Sequence, residues 1–417
     1  MMQAYAEYKD SGVDWLGEIP AGWDVVKSRR FSFYEKGKAT KPNSMIDDGL
    51  PLLAMEYLRG DETPHLVKST QADVLADDGD ILLLWDGSNA GEFLRSKHGV
   101  LSATIAKVSL SSATNFSFIF YSFKASESEL KKSNNGMGIP HVSGSAFKEL
   151  SYALPPLPEQ TAIAGFLEDK TAKIDELVGI KRRQIALLGE RKQILIQNAV
   201  TKGLNAQAPM KDSGVDWIGK IPAHWEVKPA KHLFFEVDER SKNGDEELLS
   251  VSHMTGVTPR SEKTVSMFLA EDYSGSKICK QGDLVFNIMW AWMGALGVSP
   301  LMGIVSPSYA VFRQLKAQTF NPDYLEMLMQ SLGFVEHYNK VSTGLHSSRL
   351  RFYSHMFLSM KIGYPPFEEQ EKIIVFLNKE TGKITKAISV LENQITKLNE
   401  YKTTLINAAV TGKIKVV

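Results

Sequence analysis

Apolar positions recur at a strict seven-residue spacing in two long proline-free stretches of the chain. In the first, Leu167, Ile174, Lys181, Leu188 and Leu195 are seven apart, and Thr171, Val178, Ile185, Lys192 and Ala199 follow each by four. In the second, Leu377, Ile384, Leu391, Leu398 and Leu405 carry the stripe, with Thr381, Ile388, Ile395, Lys402 and Ala409 in the following positions. A stripe of this period predicts helices that pair as a coiled coil, because it keeps one narrow face turned to a partner. Helices with so little apolar surface need such a partner in water. The predicted seam comprises Leu167, Ile174, Val178, Ile185, Leu188 and Leu195 on one helix. On the other it comprises Leu377, Ile384, Ile388, Leu391, Ile395, Leu398 and Leu405.

The helices belong to a larger repeat. Lys9–Trp23 reads KDSGVDWLGEIPAGW, and Lys211–Trp225 reads KDSGVDWIGKIPAHW, 202 positions later. PPLPEQTAIAGFL starts at Pro155 and PPFEEQEKIIVFL at Pro365, an offset of 210. Each half therefore runs short motif, variable region, long helix. The variable regions, 28–154 and 229–364, share only anchors such as Gly79-Asp80-Ile81 and Gly282-Asp283-Leu284. A helix over Glu159–Val200 is roughly 60 Å long, whereas the link from Val200 to Lys211 reaches about 35 Å at most. Parallel helices would need a longer return, so the pair is predicted antiparallel.

The expected fold is α/β (mixed α+β). Two globular domains are separated by a long antiparallel two-helix coiled coil, in an internal tandem repeat with pseudo-twofold symmetry. The expected boundaries are 1–154 for the first domain with its docking motif at 9–27, and 155–204 for the first helix. The second domain covers 205–364 with its motif at 211–228, and the second helix 365–417. Trp15, Ile19, Pro20 and Trp23, like Trp217, Ile221, Pro222 and Trp225, read as packing residues that dock each motif where a helix ends.

Composition narrows the function. The 417 residues carry a formal net charge of +0, which excludes a surface that is basic all over but permits a basic cleft. Cys279 is the sole cysteine, so neither an intrachain disulfide nor a cysteine metal site is available. No apolar run reaches the length of a membrane span, and the opening MMQAYAEYKD lacks the apolar core of a signal peptide. A reducing cytoplasm is the expected setting.

The combination of IPAGW and IPAHW, LPPLPEQ and YPPFEEQ, and two long repeated helices resembles the specificity subunit of type I restriction–modification systems over nearly the whole chain. The resemblance implies that each variable region is a target recognition domain reading one half of a split site in double-stranded DNA. It implies that the helices set the spacing. It also implies that two methyltransferase (modification) subunits and two restriction (endonuclease and translocase) subunits assemble around them. S-adenosylmethionine, ATP and magnesium would sit on those partners, with no cofactor bound by this chain. The residues themselves agree that chemistry lies elsewhere. An adenine methyltransferase needs Asp, Asn or Ser before its Pro-Pro-aromatic motif, but Tyr364 and Leu154 stand there. The prolines read instead as helix starts, placing Glu159, Gln160, Glu369 and Gln370 in first turns. No glycine-rich phosphate loop and no histidine pair at metal-ligand spacing occurs, so no catalytic or metal-binding residue is expected.

Candidate DNA-binding residues are polar or basic side chains in turn-rich stretches. Gly87–Gly99 offers Ser88, Asn89, Arg95 and Lys97, and Lys131–Gly144 offers Lys131, Asn134, Asn135 and His141. In the second half, Ser342–His355 offers His346, Ser347, Arg349 and Arg351 without an acid. Asn and Arg can read base edges, while Lys and Ser more often hold phosphates. Trp290 and Trp292 lie two apart, which on a strand puts both rings on one face, either in a core or against bases. A competing function is a non-catalytic protein–protein scaffold with two binding domains on a coiled-coil rod. Salt-dependent binding to duplex DNA distinguishes the two.

Overall fold

The structure, a computed structural model, describes residues 3–39, 48–60, 63–71, 73–133, 139–263, 272–346 and 349–416. The chain forms two compact units, Met1–Arg182 with Glu392–Val417, and Arg183–Leu391. Helices Leu157–Lys202 and Phe367–Val410 each contribute residues to both.

The two units share one plan. The first holds an antiparallel sheet ordered Ser32–Lys36, Ile105–Leu110, Ile81–Leu84, Phe93–Arg95. The second repeats it as Phe234–Val237, Ala310–Gln314, Leu284–Phe286, Leu296–Val298. The repeated Gly-Asp makes the turn into the third strand of each sheet. Gly79 and Gly282 sit at φ +86° and +88°, where glycine has no steric penalty. Asp80 accepts from the Asp77 backbone N–H at 2.8 Å, and Asp283 from that of Lys280 at 2.8 Å. Each carboxylate also meets a cation from the adjacent strand, Lys107 at 2.6 Å and Arg313 at 2.8 Å. The Arg313 contact is a two-pronged fork, and hydrogen bonding to buried Asp283 raises the guanidinium pKa further.

The docking motif folds as a hairpin in both copies, Tyr8–Asp10 with Glu18–Pro20 and Met210–Asp212 with Lys220–Pro222. Asp10 and Asp212 accept from the N–H of Gly12 and Gly214 two residues on, fixing the bend. The tryptophans then tie the motif to the first turn of their own half's long helix. The Trp23 indole N–H donates to Glu159 at 3.2 Å, and that of Trp225 to Glu369 at 3.2 Å. Tyr5 adds a bond to Glu159 at 2.6 Å and His224 one to Glu369 at 2.7 Å. The next residue completes the joint. Gln160 and Gln370 are buried; each accepts from the backbone N–H of a helix N-cap, Asn115 or Asn321, and donates to the proline carbonyl at Pro155 or Pro365. Within each Pro-Pro-x-x-Glu-Gln motif, therefore, the acid binds the tryptophan and the amide binds the domain.

Each core is closed by two helix segments. In the first unit, Ile163 and Leu167 from the start of one long helix join Leu405, Ile406 and Ala409 from the end of the other. In the second, Ile373 and Leu377 join Ala199 and Val200. Cross-helix bonds give the direction. In the first unit Asp175 meets Lys402 at 2.6 Å and Lys181 meets Gln394 at 2.7 Å, so numbering rises on one helix as it falls on the other. In the second unit Lys192 meets Thr385 at 3.2 Å. Leu167, Ile174, Val178, Leu377 and Leu405 are buried, whereas Ile185, Leu188, Leu195, Ile384, Ile388, Leu391, Ile395 and Leu398 are half-buried.

The helix ends are unequal. Gly203 and Gly412 both take left-handed conformations, φ +74° and +72°. A Cβ on Gly412 would overlap the rigid Pro20 ring, whereas one on Gly203 would lie 3.1 Å from the Glu369 carboxylate and 3.4 Å from the Trp225 ring, a tight contact rather than an overlap. Gly412→Ala is therefore expected to cost about 2 kcal/mol and Gly203→Ala about 1 kcal/mol. Thermal melts of the two variants should show the larger drop for Gly412→Ala; equal drops would contradict this packing.

Candidate nucleic-acid interface

In both units the third sheet strand runs into a short loop built on one framework. Leu84 and Asn287 donate backbone N–H bonds to Glu92 and Ala295 across the loop, at 2.9 and 3.0 Å. Gly91 and Gly294 close it at φ +95° and +84°. The Trp85 carbonyl accepts from Val142 N–H at 2.9 Å, and the Ile288 carbonyl from Phe352 N–H at 3.0 Å. A second segment, just ahead of the last short helix (Gly144–Glu149 or Ser354–Ser359), is thereby held against the loop. His141 and Arg351 occupy equivalent places.

The first unit furnishes this framework with small polar groups. Asp86 bridges to His141 through the backbone, and Gly87 N–H donates to Pro140 O at 2.9 Å. Ser88 and His141 are exposed. Asn89 is half-buried and its amide donates to Ser88 Oγ at 3.3 Å and Met55 Sδ at 3.2 Å. Lys36 pairs with Asp86 at 2.7 Å above the Trp85 ring. Nothing in the sequence links Lys36 to Asp86, because only the sheet register brings them together.

The second unit furnishes it with aromatic and basic groups. Trp290 and Trp292 do not lie on a strand: Ala291–Met293 is a 3-10 helix. Closure by Gly294 within a few residues of the preceding strand forces the turn. The rings nonetheless stack, with centroids 6.1 Å apart and planes at 22°. Trp292 is half-buried and its indole donates to Met289 O at 2.9 Å, while Trp290 is 49% exposed. Arg351 is half-buried in a backbone bridge with Thr343. Arg349 and His346 are exposed, and neither side chain has a partner among the described residues. Tyr353 and His355, both exposed on the same segment, stack at 6.0 Å.

Two candidates, Arg95 and Lys97, lie away from this framework, and a third, Lys131, packs against Gly91 where the loop closes. Arg95 ends a strand rather than sitting in a loop. Its guanidinium lies 4.2 Å from the Phe120 ring centre and 4.7 Å from that of Phe116, and donates to Gly79 O and Ser117 Oγ. Burial lowers its pKa. Lys97 donates to Tyr57 O at 3.0 Å above that residue's ring. Lys131 belongs to the last turn of the helix Phe116–Lys132, because Asn115 caps that helix and it runs on to Ser133. Asn134, Asn135 and Ser347 lie outside the described residues. Among the described residues no group of histidine, cysteine, aspartate and glutamate could hold a metal ion.

Residues 20–185 match the family model described as the type I restriction modification DNA specificity domain. The chain is 32% identical to the type I restriction enzyme MjaVIII specificity subunit of Methanocaldococcus jannaschii, across 100% of this chain and 98% of that one. It is 24% identical to the putative type I restriction enzyme MjaX specificity subunit of the same organism, across 66% of this chain and 62% of that one. A solved chain described under assembly and conformational transition of the type I R-M system shares the fold. That match has a TM-score of 0.65 and 14% identity, and covers 94% of this chain and 98% of that chain.

The geometry separates structural from available cations. Arg95→Ala removes two ring contacts and two hydrogen bonds and should cost about 1–3 kcal/mol of stability. Arg349→Ala should change stability by less than about 0.5 kcal/mol. Urea unfolding of the two variants checks this, and a larger loss for Arg349→Ala would contradict the assignment.

Proposed function

The chain belongs to the specificity subunits of type I restriction–modification systems, and from that premise we propose that its two units each read one half of a split DNA site. As a specificity subunit it recognises DNA sequence and is not itself the enzyme. The observation that carries the split reading is the shared loop framework with unlike furnishings: Gly87, Ser88, Asn89 and His141 in one unit, Trp290, Trp292 and Arg351 in the other. One scaffold bearing two different surfaces fits two different half-sites better than one repeated site.

The paired helices act as the spacer in this reading, since sites on one face of DNA recur about every 34–36 Å. Two methyltransferase subunits bind, one to each half of the pseudo-twofold, and two restriction subunits join them in the full complex. S-adenosylmethionine, ATP and magnesium are used on those partners. The exposed apolar side chains of Leu187, Ile194 and Val390 on the long helices offer surface for such assembly. Among the described residues no helix is long and apolar enough to cross a membrane, and the cytoplasm, where the DNA is, is the proposed location.

The test is an exchange of residues 28–154 for the equivalent region of a relative, followed by mapping of methylated adenines across a genome. One half of the methylated motif should change while the other half and the gap stay the same. A motif changed in both halves would overturn the reading of independent units. Binding of the assembled complex to its duplex should weaken steeply with salt, as counterion release requires.

A further inference from the structure

We propose that Trp290 is a specificity-determining wedge that inserts at a flexible pyrimidine–purine step of the half-site read by the second unit, an event without a counterpart in the first. The inference rests on the reading that each unit binds one half-site.

Three features of the second unit converge on this residue. Trp290 is a large apolar ring, 49% exposed, at the tip of the loop that the shared framework presents. Its ring is held rather than free. Trp292 stacks behind it at 6.1 Å and is itself fixed by the bond from its indole N–H to Met289 O. The loop is seated on the helix Leu332–Val341, where a Cβ on Gly294 would meet Val335 at 3.3 Å. A ring held this way loses little freedom on binding, as a wedge requires.

Charge around the ring matches a phosphate backbone. Arg349, exposed and without a side-chain partner among the described residues, and Arg351 lie on the segment held against the loop, and residues 342–355 contain no acid. An apolar ring on a loop whose neighbouring segment carries an exposed Arg349, unpaired among the described residues, and an Arg351 that donates to Leu350 O suits a partner whose flat apolar faces lie inside two rows of anions. The equivalent of Trp290 in the first unit is Gly87, beside Ser88 and Asn89, which can reach groove edges but cannot separate stacked bases. The halves therefore differ in kind: hydrogen bonding reads one, deformability the other. Pyrimidine–purine steps unstack at least cost, so the wedge selects them.

The experiment uses the full chain assembled with its methyltransferase subunits, bound to a duplex carrying its methylated motif. Diethyl pyrocarbonate, which attacks unstacked purines, and permanganate, which attacks unstacked thymines, report every step in both half-sites. Outside the adenine–thymine pairs that the methyltransferase subunits themselves open, the expected result is hyper-reactivity at one step of the second half-site and none in the first. Trp290→Ala should abolish it and weaken binding about 10- to 100-fold, while the lost stacking on Trp292 lowers the melting temperature by no more than a few degrees. Trp290→Phe should retain hyper-reactivity. A wild-type complex that binds both half-sites with every step outside the target adenine–thymine pairs stacked would overturn the wedge while leaving two-unit reading intact. A complex without specific affinity for the duplex would overturn both. Hyper-reactivity that survives Trp290→Ala would assign the distortion to another group and overturn the proposal.

Discussion

Each unit depends on a joint at the first turn of a long helix, where one acid and one amide do separate work. Glu159 and Glu369 accept the indole N–H of the motif tryptophan, and Gln160 and Gln370 tie the helix start to an N-cap inside the domain. A helix start exposes unsatisfied N–H groups and a positive dipole end, so an acid is favoured there. Buried tryptophans demand a partner for their N–H. The same carboxylate meets both requirements, and the motif tryptophan, more than 130 residues from its glutamate, is thereby locked to it.

Because the joint occurs twice and the helices run in opposite directions, each core uses the start of one helix and the end of the other. Val200 is as much a part of the second unit's core as Ile373, and Val410 serves the first unit beside Ile163. Neither unit is complete with only its own half of the repeat. The loops face different demands. The backbone bonds that frame them, from Leu84 and Asn287 across the loop and from Val142 and Phe352 to its start, coincide from one unit to the other, but no packing requirement ties Gly87 to Trp290, which leaves these positions open to functional divergence.

Much of the fold is legible in the sequence because periodic packing leaves a local signature. The heptads at Leu167–Leu195 and Leu377–Leu405 reveal two helices, and the short link before Lys211 reveals their direction. The joint is only half legible: Trp23 and Trp225 read as packing residues, but an indole-to-carboxylate bond between distant residues has no local pattern. The site is harder still. Arg95 and Lys97 belong to a cluster by sequence, yet the strand that ends at Arg95 and the nearby Phe120 and Tyr57 rings draw them into the fold. The two-residue spacing of Trp290 and Trp292 suggests a strand, but the glycine that ends the loop decides the geometry. The Lys107–Asp80 and Arg313–Asp283 pairs follow from sheet register alone.

The central claim is that the paired helices set the distance between two independent readers. Lys192 faces Thr385, so residue 188 faces the neighbourhood of residue 388. One heptad inserted after Leu188 and a facing heptad after Ile388 would keep the seam in register and lengthen the pair by about 10 Å. The decisive measurement is the methylated motif made by this doubly extended chain in a cell. The account predicts the same two half-sites separated by a gap wider by roughly three base pairs, with some loss of activity from the accompanying rotation about the duplex. The same half-sites at the original gap, in a folded variant, would contradict it.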